Sequence, residues 1–117
     1  MPWMDMTVNT CIALADMLAP NDIDAALKRR WLGEIDGNVR VDLMGQSTTE
    51  AAAVAEDGML SETALLTAPY PFDRLYWMYL VAMIAYAQSD LVGYTNAATM
   101  FNAAYERYAK WVQRGGV

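Results

Sequence analysis

Few residues in this chain have side chains suited to covalent or acid–base chemistry. There is no histidine, and the one cysteine is Cys11. Without histidine the commonest general base is missing, and so are Ser-His and Cys-His nucleophile pairs and His-ligated metal sites. A single cysteine excludes an internal disulfide and any thiolate cluster. Cys11 falls on the apolar face of a helical pattern, where it reads as a small core residue. Among the carboxylates, Glu34 and Asp36 are two apart, as are Asp22 and Asp24. Residues at that spacing point to different faces of a helix, so neither pair converges. Residues 36–40, Asp-Gly-Asn-Val-Arg, begin like a calcium loop. The pattern then fails: the glycine comes too early, Arg40 replaces an acidic ligand, and no bidentate glutamate follows at the right distance. The expectation is a chain with no catalytic residue, no cofactor and no metal site, hence not an enzyme.

Composition points the same way. The chain has 117 residues, 56% hydrophobic and 19% charged, which excludes a disordered or fibrous protein and suits one domain with a real core. Its net charge of −6 does not hold DNA or an anionic membrane by bulk electrostatics. Residues 1–70 carry four basic and eleven acidic side chains, whereas residues 71–117 carry four basic and three acidic. Residues 1–5 lack a basic region followed by a long apolar one and do not read as a secretory signal. The most apolar stretch, residues 75–89, is shorter than the ~20 residues that span a bilayer.

The elements expected to carry these residues are all helical: a small bundle of about four helices near 8–19, 22–44, 72–89 and 90–114. Thr7 offers a cap for the first, with Val8, Cys11, Ile12, Ala15 and Leu18 on one face, and Pro20 ends it. Asn21 and Asp22 offer a cap for the second, where Ile23, Leu27, Trp31, Ile35, Val39 and Leu43 recur by four. Lys28, Arg29, Asp36 and Arg40 lie off that row. Gly33 and Gly37, one turn apart, either weaken this helix or let a neighbouring backbone approach closely. Pro71 suits the first position of the third helix, which is apolar nearly all round and belongs at the centre of a bundle. In the fourth, Tyr94, Ala98, Phe101, Tyr105, Tyr108 and Val112 alternate by four and three, a heptad-like seam, and Gly115-Gly116 stops it.

Between the second and third helices, residues 45–69 lose periodicity. This long acidic connection contains Glu50, Glu56, Asp57 and Glu62 and no basic residue. Residues 50–55 suit one or two helical turns, and Asp57-Gly58 is a turn signal. Unstructured connections of this length are more often functional than idle. The four acidic residues are therefore candidate partner contacts, in a segment with little apolar surface to order it and dispensable for folding. The basic last turns add Arg107, Lys110 and Arg114, which also suit the negative end of the helix dipole. Seven tyrosines, four tryptophans and nine methionines either fill a thin bundle or form a subunit interface.

Several stretches together resemble a known family. One half is Leu65-Leu66, Pro69-Tyr70-Pro71-Phe72-Asp73, Leu75-Tyr76, Tyr79-Leu80, Ala82-Met83-Ile84 and Tyr86-Ala87. The other is Tyr94-Thr95-Asn96, Phe101-Asn102, Tyr105 and Trp111, to which Ile12-Ala13-Leu14-Ala15-Asp16 and Trp31-Leu32-Gly33-Glu34-Ile35-Asp36-Gly37 add an N-terminal part. The chain is similar to the head–tail connector, or adaptor, proteins of tailed phages and prophages, over nearly its whole length except residues 45–64. None of the matching stretches is catalytic. The resemblance implies an all-helical structural protein of the virion that assembles with itself as a ring, typically twelvefold, under the portal protein. Such a ring extends the DNA channel and receives a tail or stopper protein. It would sit at the head–tail junction, and in the host cytoplasm during assembly, with no sequence-specific nucleic-acid contact and no membrane. The alternative from the residues alone is a ligand-binding or regulatory helical bundle of non-viral function, which an enclosed apolar pocket would favour. A filled core with aromatics at the surface favours the connector.

Overall fold

The computed structural model describes residues 6–116, so the stretch 1–5 read above lies outside the described residues. The chain is all-α. Helix α1 spans Val8–Leu18, α2 Ala25–Asn38, a short α3 Thr48–Ala52, α4 Arg74–Ala87 and α5 Leu91–Gln113. Helix α2 continues into a π-helical turn, Val39–Leu43. The radius of gyration, 13.6 Å, is that of a compact chain of this length, about 13 Å.

Most ends form as their residues dictate. Thr7 accepts a hydrogen bond from the Thr10 amide (3.2 Å) and Asp90 one from the Gly93 amide (2.9 Å), opening α1 and α5. Gly115 and Gly116 take left-handed conformations after α5. Two ends differ from expectation. Asn21 folds back to accept from the Ile23 amide, so the cap of α2 falls to Asp24, which accepts from the Ala26 amide at 2.8 Å. Pro71 lies in a turn over residues 70–73 and not in the first turn of α4, which begins at Arg74.

Helix α4 is the centre of the bundle. Seven of its fourteen residues are buried, among them Leu75, Tyr76, Leu80 and Ile84. It packs against α1 and α2, and most extensively against α5, to which it is joined by the short turn at residues 88–90. The α4–α5 pair is an antiparallel hairpin with an aromatic ladder. Phe72 meets Tyr108 (5.4 Å between ring centroids), Tyr79 meets Phe101 (5.3 Å) and Tyr86 meets Tyr94 (5.6 Å). Each row steps by seven, so the heptad seam on α5 has a matching row at residues 72, 79 and 86.

The buried face of α2 is Lys28, Trp31, Leu32, Ile35, Asp36 and, in the π-turn, Val39. A row spaced strictly by four winds around a helix of 3.6 residues per turn, which is why Leu27 ends up exposed. Lys28 and Asp36, off that row, are instead buried and paired. The Lys28 Nζ donates to Asp16 at 2.8 Å, and Asn21 donates to the same carboxylate oxygen.

The connection over residues 45–69 is irregular, as its lost periodicity implies, but it is hydrogen-bonded to α1 and α2 along its length, which argues against its being dispensable. Ser47 and Glu50 close a capping box at α3. Asp57 and Gly58, both at positive φ, make a tight turn closed by paired Glu56–Met59 backbone bonds. The Gly58 carbonyl sits where any Cβ on Gly33 would have to be, whereas Gly37 faces open space. The close-approach reading therefore belongs to Gly33. Arg29 and Arg30 donate to the Leu60 and Asp57 carbonyls at 2.8 and 3.0 Å. Further on, the Glu62 and Ala64 carbonyls accept from the Asn9 and Val8 amides in the first turn of α1, which have no intrahelical acceptor. Leu60, Leu66 and Ala68 enter the core, which supplies the apolar burial missing from the sequence reading.

Candidate functional site

The two ends of the α4–α5 hairpin differ in chemistry. At the open end, the start of α4 lies beside the second half of α5. There a surface groove of ≈ 580 Å³ is lined by Phe72, Met100, Ala103 and Ala104 together with Arg74 and Arg107. Arg74 lies over the Trp77 ring (5.1 Å) and Arg107 over the Phe72 ring (5.2 Å), cation–π contacts, and neither guanidinium is ion-paired among the described residues. The ion pairs among the described residues use Lys28, Arg30, Arg40 and Lys110 instead. Arg74 also places a cation in the first turn of a helix, against its dipole. The groove is open to solvent, and its Phe72 ring packs on the buried Tyr108 ring.

At the closed end, Leu91, Val92 and Met17 are 70%, 73% and 78% exposed, and Leu18 and Tyr86 are exposed beside them. Gln88 donates to the Pro20 carbonyl at 3.3 Å, which brings the end of α1 to the hairpin turn. Lys28, the basic residue that comes nearest, is buried against Asp16. Asp22, Asp24 and Asp90 are exposed, and no basic residue occurs between positions 6 and 27 or between 75 and 105.

Of the residues singled out from sequence, Arg107, Lys110 and Arg114 share one face of α5 and line a shallow depression with Gln113. Lys110 is paired with Glu106 at 3.0 Å. The acidic four are spread along the connection. Glu50 accepts from the Ser47 amide in the capping box, Glu56 forms the base of the tight turn, and Asp57 and Glu62 offer backbone carbonyls to Arg30 and Asn9. No group of three acidic or thiol side chains able to hold a metal ion occurs among the described residues.

The buried polar centre is Asp36, 1% exposed. Its Oδ1 accepts from the Tyr76 hydroxyl (2.6 Å) and the Thr67 amide (3.0 Å). Its Oδ2 accepts from the Thr67 hydroxyl (3.0 Å) and Arg40 Nε (3.2 Å). The Ala68 amide donates to the Tyr76 oxygen at 2.8 Å, completing a network that ties α2, the connection and α4 together. Burial first, then the Asp36 charge, pushes the Tyr76 phenol well above its usual range. The stretch 36–40 is helical here and its Asp36 is spent on this network. Burial likewise pushes the Cys11 thiol up, with Asp73 adding to it, the reverse of what a nucleophile requires.

The residues missed from sequence are Arg74, Phe72 and Met100 in the groove and Met17, Leu91 and Val92 at the closed end. The signal for the first set was the row at 72, 79 and 86, which fixes the hairpin register and puts Arg74 near Arg107. The signal for the second was an apolar pair straight after the Asp90 cap, ahead of the first aromatic of the seam at Tyr94. No helix among the described residues is long and apolar enough to cross a membrane. No protein-family model matches the chain, and no curated protein and no solved structure shows significant similarity to it.

Proposed function

We propose that this chain is a virion structural protein of a tailed phage or prophage. In this reading it is an adaptor that assembles with itself as a ring beneath the portal protein and receives the tail or a stopper protein. It acts at the head–tail junction and is not an enzyme. The observation that carries the reading is the distribution of large side chains. One buried core gathers residues of α1, α2, α4 and α5, while Met17, Leu18, Tyr86, Leu91 and Val92 stay exposed around the closed end of the hairpin, an apolar patch of the kind a subunit interface uses. The resemblance in sequence supplies the particle, and the net charge of −6 suits a channel through which DNA slides without being gripped.

The second reading, a ligand-binding bundle, draws on the groove beside Phe72, Met100, Arg74 and Arg107. An open groove covers less of a small ligand than an enclosed cavity does, which weighs against it. Gradient cosedimentation separates the two. The adaptor reading expects the chain to travel with portal-bearing, tail-less capsids and not with capsids lacking a portal. Equal recovery from both, or from neither, overturns it.

A further inference from the structure

The two ends of the α4–α5 hairpin complement each other in both charge and apolar character, and among the described residues neither has an ion-pair partner. We infer that the groove lined by Arg74 and Arg107 receives the closed hairpin end of a second copy of this chain. The inference rests on the self-assembling reading above and names the surfaces it would use. Exposed Leu91, Val92 and Met17 supply aliphatic side chains for a groove of ≈ 580 Å³ lined by Phe72, Met100 and Ala103. Exposed Asp22, Asp24 and Asp90 accompany those side chains, and Arg74 and Arg107 await carboxylates on the other side. A contact of one closed end with another closed end would bring like charges together, so the complementary pairing is head to tail. Such a heterologous contact uses a different patch on each copy, leaves one of each free, and closes into a ring when the rotation per step allows it.

The experiment uses two full-length variants, each blocking one patch. Arg107→Glu spoils the groove and Leu91→Asn removes the apolar anchor of the hairpin end; both positions are exposed, and circular dichroism checks that each variant keeps its helices. Sedimentation velocity is run at a concentration where the wild type associates. Each variant alone is expected to associate about tenfold more weakly or worse. An equal mixture is expected to form a heterodimer and nothing larger, because only one intact groove and one intact end remain between them. Arg74→Glu, which suits the helix dipole better than arginine does, is expected to behave like Arg107→Glu.

Wild-type association by either single variant, or no dimer in the mixture, overturns the proposal. So does a wild type that remains monomeric at every concentration. If Arg107→Glu self-associates normally but no longer binds portal-bearing capsids, the groove belongs to a foreign acidic partner: this proposal falls and the adaptor reading survives. If the variants and their mixture behave as expected but the wild type ignores portal-bearing capsids, the head-to-tail contact stands and the adaptor reading falls.

Discussion

Four donors converge on the Asp36 carboxylate, so Asp36→Ala leaves the Tyr76 hydroxyl, the Thr67 amide and hydroxyl, and Arg40 without it. Removing one member of a buried charged network costs about 3–5 kcal/mol, read as a lower urea midpoint. Tyr76 gives the same centre a pH dependence. Its phenol is raised in the folded chain, while an unfolded tyrosine ionises near pH ~10. The contribution is therefore complete below about pH 10 and is lost as the pH rises further, because only the unfolded chain releases the proton readily. Tyr76→Phe should be less stable at neutral pH but should lose stability more gently on the alkaline side, as urea midpoints across the range would show. At Gly33 the Gly58 carbonyl leaves no room for a methyl group, so Gly33→Ala should cost about 1–3 kcal/mol while Gly37→Ala is tolerated. Sequence alone could not separate the two glycines, since the distinguishing atom lies twenty-five residues away. Nor could it place Asp36 or Lys28 inside, because an isolated charge in a helical pattern reads as solvent-facing until its partner is known.

At the level of elements, the connection between α2 and α4 changes standing most. It holds α1 through the Glu62 and Ala64 carbonyls, holds α2 through Leu60 and Asp57, and places Leu60, Leu66 and Ala68 in the core. Deleting about ten residues around Glu56 should lower the thermal midpoint and broaden the melt, not merely abolish assembly. A deletion variant with an unchanged, cooperative melt would contradict this account of the segment. The four main helices were legible because periodicity, caps and the proline and glycine stops agree on them. The Asp57-Gly58 turn was marked by its residues, and the helical turn expected over 50–55 forms earlier, at Thr48–Ala52, where Ser47 supplies the cap. What was not legible is how the irregular segment is held. Its bonds run from backbone carbonyls to arginines and amides 27 to 56 residues away, and such pairings leave no periodic trace. The α4–α5 register was half visible: the seam on α5 could be read, but the row at 72, 79 and 86 straddles a turn and a helix that is apolar on every side.

For the whole molecule, the proposed assembly sets a net charge of −6 per copy against local complementarity between the hairpin ends. At ~0.01 M salt the screening length, about 30 Å, matches the 29–37 Å size of the chain, so whole-molecule repulsion dominates and mostly monomer is expected. By ~0.1 M it falls to about 10 Å, below the molecular dimension, and larger species should grow in. A stable ring already present at the lowest salt would show that apolar contacts outweigh charge. A portal that already holds the required symmetry would align copies and raise their effective concentration. The most direct test of the central claim is therefore the number and arrangement of copies on portal-bearing particles, measured by cryo-electron microscopy of capsids incubated with the purified chain. The account predicts a closed ring beneath the portal, with neighbouring copies in head-to-tail contact and about as many copies as a twelvefold portal presents. Particles with bare portals at saturating chain, or single copies bound without touching one another, would contradict it.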